Sequence, residues 1–185
     1  MSTPRAVVLV EGHSDLVALQ ALAARRGRDL ASEGIEVVAM NGITNTRSFA
    51  FRYGPLGLGF PLAGLYDEAD EDKLRNGLAA AGLGAALEPD GPSRLGFFKC
   101  SADLEDELIR SVGLDAAEGV VEAAGERRSL QRLAGMPAQQ GWTRTAVLRR
   151  FLGGSGRKAR YAALFVTAME PGREPEPFSA LLDRV

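Results

Sequence analysis

Apolar residues along this chain come in unbroken short runs that alternate with stretches of helical spacing. Residues 6–10 (AVVLV) are a β-branched run, and 14–27 (SDLVALQALAARRG) then carry apolar positions at helical spacing, so strand, loop and helix are predicted in that order. Ser14 is a candidate N-cap for this helix and Gly27 its stop. The unit repeats as a strand over 35–40 (IEVVAM), a helix within 41–54 with Thr44 or Asn45 near its cap, and a strand over 61–67 (PLAGLYD). Each run is too apolar to leave one face in water. A third helix over 70–82, a Gly/Pro-rich connection over 83–94, a fourth strand over 95–101 (LGFFKCS) and a fourth helix over 104–113 follow. Beyond residue 115 only helices are expected, over 116–135, 142–154 and 156–169, with a short closing helix near 178–185 after a Pro/Glu stretch. The pattern predicts an α/β fold in which a mainly parallel sheet of about four strands is covered on both sides, with right-handed crossovers. Residues 1–115 would form the α/β core and 116–185 a helical C-terminal extension packed on it.

The chain has 185 residues and a single Cys, which excludes an internal disulfide and a CxxC zinc site. No apolar stretch is long enough to span a bilayer and the start lacks a leader signature, so no membrane association, no export and a cytoplasmic location are expected. The net charge of −2 hides a strong asymmetry. Residues 63–124 carry 14 acidic and five basic side chains, whereas 125–162 carry nine basic side chains against Glu126 alone. Carboxylates that hold cations, followed by guanidinium groups that hold a polyanion, would suit metal-dependent phosphodiester chemistry; two differently charged solvated helix faces would give the same count.

In open α/β sheets the ligand site lies outside the carboxyl ends of the strands. Glu11 ends the first strand, with His13 and Asp15 just beyond; Asp67 ends the third, followed by Glu68, Asp70, Glu71 and Asp72; Asp103 closes the fourth, followed by Glu105, Asp106 and Glu107. Such carboxylates repel one another unless cations are present, and hard oxygen donors favour Mg²⁺ or Mn²⁺ over zinc. Acids at helix N-termini also complement the helix dipole, which accounts for Glu68, Asp70, Glu71, Asp106 and Glu107 taken singly. His13 could act as a base or ligand, or face solvent in a loop. Cys100 reads as a small buried hydrophobe. Trp142 reads first as a core or helix-packing residue and second as a base-stacking group beside Arg144. Arg149, Arg150, Arg157 and Arg160, at helical spacing, are candidate phosphate contacts. GGSGRK (153–158) follows a helix and has Ala159 where a phosphate loop needs Ser or Thr, so no ATP site is expected in this chain.

VLVEGHSD (8–15), AGLYDEAD (63–70) and SADLEDEL (101–108), in this order on a βαβ background, resemble the TOPRIM domain, and within that superfamily the OLD-type nucleases in a stand-alone form without the ATPase. The basic run at 154–158 resembles the C-terminal motif of the OLD-type domain. The resemblance implies a Rossmann-like TOPRIM fold and a nuclease that nicks or cleaves DNA with two Mg²⁺ or Mn²⁺ ions. It assigns Glu11, Asp15, Asp67, Asp103 and Glu105 to the metals, Glu11 also to general acid/base work, and Lys158 to the scissile phosphate. The second acid of the DxD motif falls on Ala69, with Asp70 one residue later, so one metal site is in doubt and a non-catalytic binding or adaptor module stays open. RNA processing is a further alternative, and any ATPase or repair partner would be a separate polypeptide. Oligomeric state and substrate preference are not legible.

Overall fold

A computed structural model describes residues 3–154 and 156–185. Four strands form one sheet: β1 (Ala6–Val10), β2 (Ile35–Ala39), β3 (Leu62–Asp67) and β4 (Phe97–Cys100), in the order β2-β1-β3-β4. All pairings are parallel, with Val8 opposite Val37 and Ala63, and Leu65 opposite Phe98. The expected parallel sheet of four strands is therefore present.

Successive β1 side chains feed opposite sides. Val8 and Val10 join one apolar cluster with Leu19 and Leu22 of α1 (His13–Arg25), while Val7 and Leu9 join another with Ala50 of α2 (Thr46–Tyr53) and Leu74 of α3 (Glu71–Leu78). At the centre of the sheet Gly64 pairs with Leu9 and Phe97, and a Cβ there would lie 2.2 Å from the Leu9 carbonyl oxygen. Only a residue without a side chain lets these strands close. β2 departs from expectation: as an edge strand with one neighbour it exposes Glu36 and buries only Ile35 fully.

The first cluster continues into α4 (Leu104–Val112), α5 (Leu114–Ala123), α7 (Arg144–Leu152), α8 (Arg157–Ala168) and α9 (Glu176–Arg184), which contribute Leu108, Val121, Leu148, Phe165 and Leu181. α6 (Arg127–Ala134) lies outside this buried set. The single helix expected over 116–135 is thus two, broken at Gly125, whose φ of +76° no helix accommodates. The helix expected over 70–82 ends at Leu78 and passes into a wider turn over Ala79–Leu83. α1 and α8 run in the same direction with their N-termini toward the carboxyl edge of the sheet. Arg25, at the end of α1, donates to the carbonyls of Val166, Thr167 and Met169 at 2.8–3.1 Å, satisfying orphan acceptors at the end of α8.

Candidate metal and phosphate site

The carboxyl edge of the sheet opens into a cleft of about 540 Å³ whose walls include Glu11, Asp15, Asp67, Asp103, Glu105 and Lys158. Each reaches it by a local device. Glu11 follows β1 directly. Gly12, not Ser14, is the N-cap of α1: the cap lies two residues earlier because the Asp15 carboxylate, in the first turn, accepts the Gly12 N–H at 2.9 Å. This contact fixes the turn that carries Glu11. Gly27 stops α1 as expected, with Gly27 N–H on Ala24 O and Arg28 N–H on Ala23 O.

Asp67 ends β3, and a 3₁₀ turn over Glu68–Asp70 follows. Side chains three apart align in such a turn. Asp70 therefore returns to the Asp67 side, and one carboxylate oxygen each from Glu11, Asp67 and Asp70 can lie within 4.8 Å of the others. Asp70, one residue past Ala69, thus stands beside Asp67 and Glu11, and it also pairs with Lys73 at 2.6 Å.

Asp103 does not end β4, which stops at Cys100. It is the N-cap of α4, accepting the Asp106 N–H at 2.8 Å through one oxygen while the other pairs with Arg149. Glu105 is 8% exposed and lies 3.0 Å from Lys158 Nζ. Glu107, also buried, accepts the Ser101 N–H at 2.7 Å and holds the loop between β4 and α4. The cleft thus has two halves. Asp103 and Glu105 have organic counterions, whereas Glu11 and Asp67 have no ion-pair partner among the described residues.

The electrostatics follow this division. Burial, and then Asp70, raise the Glu11 carboxyl. Asp67 rises to about 7 through burial and the fields of Glu11, Asp15, Asp103 and Glu105. Burial takes Asp15 to about 6 despite the Gly12 N–H, which favours its anion. Burial would lower the Lys158 ammonium, yet its hydrogen bond to Glu105 and the charges of Glu105, Asp103 and Asp15 raise it. Hard anionic oxygens gathered where their own repulsion opposes ionisation fit a divalent cation of the Mg²⁺ or Mn²⁺ type.

The four arginines separate. Arg149 is bound to Asp103, while Arg157 Nε and Arg160 Nη1 lie 2.7 and 2.9 Å from the Glu126 carboxylate. Arg157 also covers the Phe151 ring at 4.3 Å. These two tie α8 to the turn before α6 instead of facing solvent as unpaired cations. Arg150 has no ion-pair partner among the described residues and lines a second cavity with Asp103, Glu105, Arg149, Gly153 and Lys158. Ser155, within the Gly-Ser-Gly-Arg-Lys run, lies outside the described residues. His13 stands exposed at the cleft rim, and Cys100 is buried, with its thiol pushed up by burial. Trp142 is not a core residue: it is 45% exposed, and Arg144 beside it is bound to Asp115 and Glu118. Reading the sequence missed Glu126 as an organiser, although a lone carboxylate amid nine basic residues was a signal for it.

Residues 4–68 match the family described as Overcoming lysogenization defect protein-like, TOPRIM domain. The C-terminal region of the Xanthomonas campestris pv. campestris OLD protein superposes with a TM-score of 0.71 at 25% identity, over 99% of this chain and 94% of that one. The C-terminal region of the Burkholderia pseudomallei OLD protein superposes with a TM-score of 0.70 at 24% identity, over 99% of this chain and 97% of that one, a likeness of fold. No curated protein matches the sequence.

Proposed function

From the premise that residues 4–68 carry an OLD-like TOPRIM domain within an OLD-type fold, we propose that the chain is a nuclease that cleaves or nicks DNA phosphodiesters with Mg²⁺ or Mn²⁺. The observation that carries this reading is the convergence of Glu11, Asp67 and Asp70, the first two of which line the same cleft as Lys158.

A divalent cation held there supplies Lewis acidity toward the phosphoryl oxygens and acidifies a water. The remaining work belongs to side chains. Glu11, Asp67 and Asp70 bind and orient the cation. Asp15 holds the Glu11-Gly12 turn through the Gly12 N–H. Lys158 has three ammonium donors; with one directed to Glu105, two are left for the phosphate oxygens, where charge grows during cleavage. Glu11, its carboxyl raised by burial and by Asp70, holds a proton more readily than an ordinary glutamate and is the candidate to accept or release one at a carboxylate oxygen. A second ion would have to compete with Arg149 and Lys158 for Asp103 and Glu105, so the two metal positions are unequal in affinity.

The test is incubation of supercoiled plasmid with wild type, Glu11→Gln and Asp70→Asn in Mg²⁺ and in Mn²⁺, with a structured RNA alongside. Nicking by wild type that both substitutions abolish supports the reading, and nicking that both variants retain sinks it. Salt-sensitive binding without turnover would instead support the non-catalytic module, for which the organic counterions on Asp103 and Glu105 are the specific argument.

A further inference from the structure

Trp142 is exposed and stands at the edge of the cleft just described. Its indole contributes to the wall of the cavity of about 410 Å³ that also contains Arg149, Arg150, Glu105 and Lys158. It lines a second cavity as well, with Leu130 and Val147. Its backbone is fixed on both sides. Gly141, at φ +79°, and the bond from Trp142 N–H to Gln139 O (3.0 Å) form a tight turn before it, and Thr143 caps α7 immediately after it, accepting the Ala146 N–H at 3.2 Å. A large apolar ring is thus held half in water by a rigid turn, at a place where burial would have been the cheaper outcome.

We infer that Trp142 is a stacking platform for an unpaired nucleobase next to the scissile phosphate. This rests on the phosphodiester reading above for the position of that phosphate. Three features of the groove identify the occupant. Its walls bring together the Trp142 ring, the cationic Lys158 and Arg150, which has no ion-pair partner among the described residues. A ligand bridging the ring and these cations must therefore be anionic at one end and flat and apolar at the other, as a nucleotide is. A base within a continuous duplex already has both faces covered, so the ring selects single-stranded, frayed or flipped nucleotides. The substrate class that follows is single strands, ends and flaps in preference to intact duplex.

Trp142 is the only tryptophan of the chain, so its fluorescence reports the contact directly. The 185-residue chain is titrated in chelator with a short oligothymidylate, with an abasic oligonucleotide of the same length and charge, and with an oligouridylate. Strong quenching by the first and little by the abasic strand is expected. Quenching by oligouridylate as well assigns the platform to nucleobases of both backbones; its absence assigns the platform to DNA. Trp142→Ala should weaken oligothymidylate binding about 5- to 150-fold, whereas Trp142→Phe should keep most of it. Far-UV circular dichroism checks the fold of both variants, and the wild-type comparison stands without them. Equal quenching by the abasic strand, or unchanged affinity in a folded Trp142→Ala protein, overturns the inference. Because no metal is present, plasmid nicking without base-dependent quenching strikes only the platform, and quenching without nicking strikes only the nuclease reading.

Discussion

Replacing Asp67 by Asn is expected to stabilise the metal-free protein at alkaline pH and to have no such effect at acid pH. In the folded state burial and the carboxylates of Glu11, Asp15, Asp103 and Glu105 raise Asp67 from an ordinary 3.8 to about 7. Between those values the unfolded chain has released a proton that the folded one retains, so stability declines as pH rises through the window. The full difference corresponds to about 4 kcal/mol at about 1.4 kcal/mol per tenfold. Asp67 borders an open cleft, and solvent screening reduces the expected penalty to about 1–2 kcal/mol. Asn keeps the shape and removes the charge, so the thermal midpoint should rise by about 2–8 °C near pH 8 in chelator, given about 2–4 °C per kcal/mol for a chain of this size. Thermal unfolding of both proteins from about pH 4 to about pH 9 measures this. Mn²⁺ should raise the wild-type midpoint and leave the variant nearly unmoved, because the cation relieves the same repulsion. A variant no more stable than wild type near pH 8, or one whose gain persists undiminished near pH 4, would refute the reasoning.

Other substitutions separate side chains that sequence alone grouped together. Arg150→Ala should weaken DNA binding evenly across sequences and lower the salt slope by about one, while Arg149→Ala, already engaged by Asp103, should change that slope less; titrations at several salt concentrations decide. Glu126→Gln removes the anion shared by Arg157, Arg160 and Tyr161 and should cost about 1–3 kcal/mol in urea unfolding, with intact stability counting against this role. Gly64→Ala sets a methyl group against Leu9 O and Phe97 and should cost about 3 kcal/mol or more, seen as loss of soluble folded protein; a well-folded variant would contradict the strand spacing. The Cys100 thiol should resist a thiol reagent in native buffer and react on unfolding.

Much of the fold was legible because it is written in local runs. The expected strands at 6–10 and 61–67 lie within a residue of β1 and β3, since a continuous apolar run has few other places to go in a sheet covered on both sides. Boundaries set by single contacts were not legible: Ser14 lost its capping place to Gly12 through Asp15, and Asp103 became a helix cap instead of a strand end. The same division runs through the site. Acids at the ends of strands could be found because topology brings such ends together. The pairing of Asp103 with Arg149, 46 residues apart, depends on how α7 meets α4, which no residue pattern states. Arg157 and Arg160 looked free for phosphate because Glu126, more than 30 residues earlier, comes to them only through tertiary packing.

The clamp from Arg25 to the end of α8 joins segments more than 140 residues apart, and it bears on the order in which the site is assembled. In synthesis the carboxylates emerge first, and Arg149 and Lys158 follow on α7 and α8. Until α8 docks along α1, a nascent chain holds its gathered acids without their main internal cations and leaves the apolar faces of α1 and α4 uncovered. Closure of this long-range contact, slow because of its chain separation, is therefore the step that neutralises half the cleft and seals the core at once. Divalent cations present during refolding should favour that step, giving the ion a part in the maturation of the chain as well as in its chemistry.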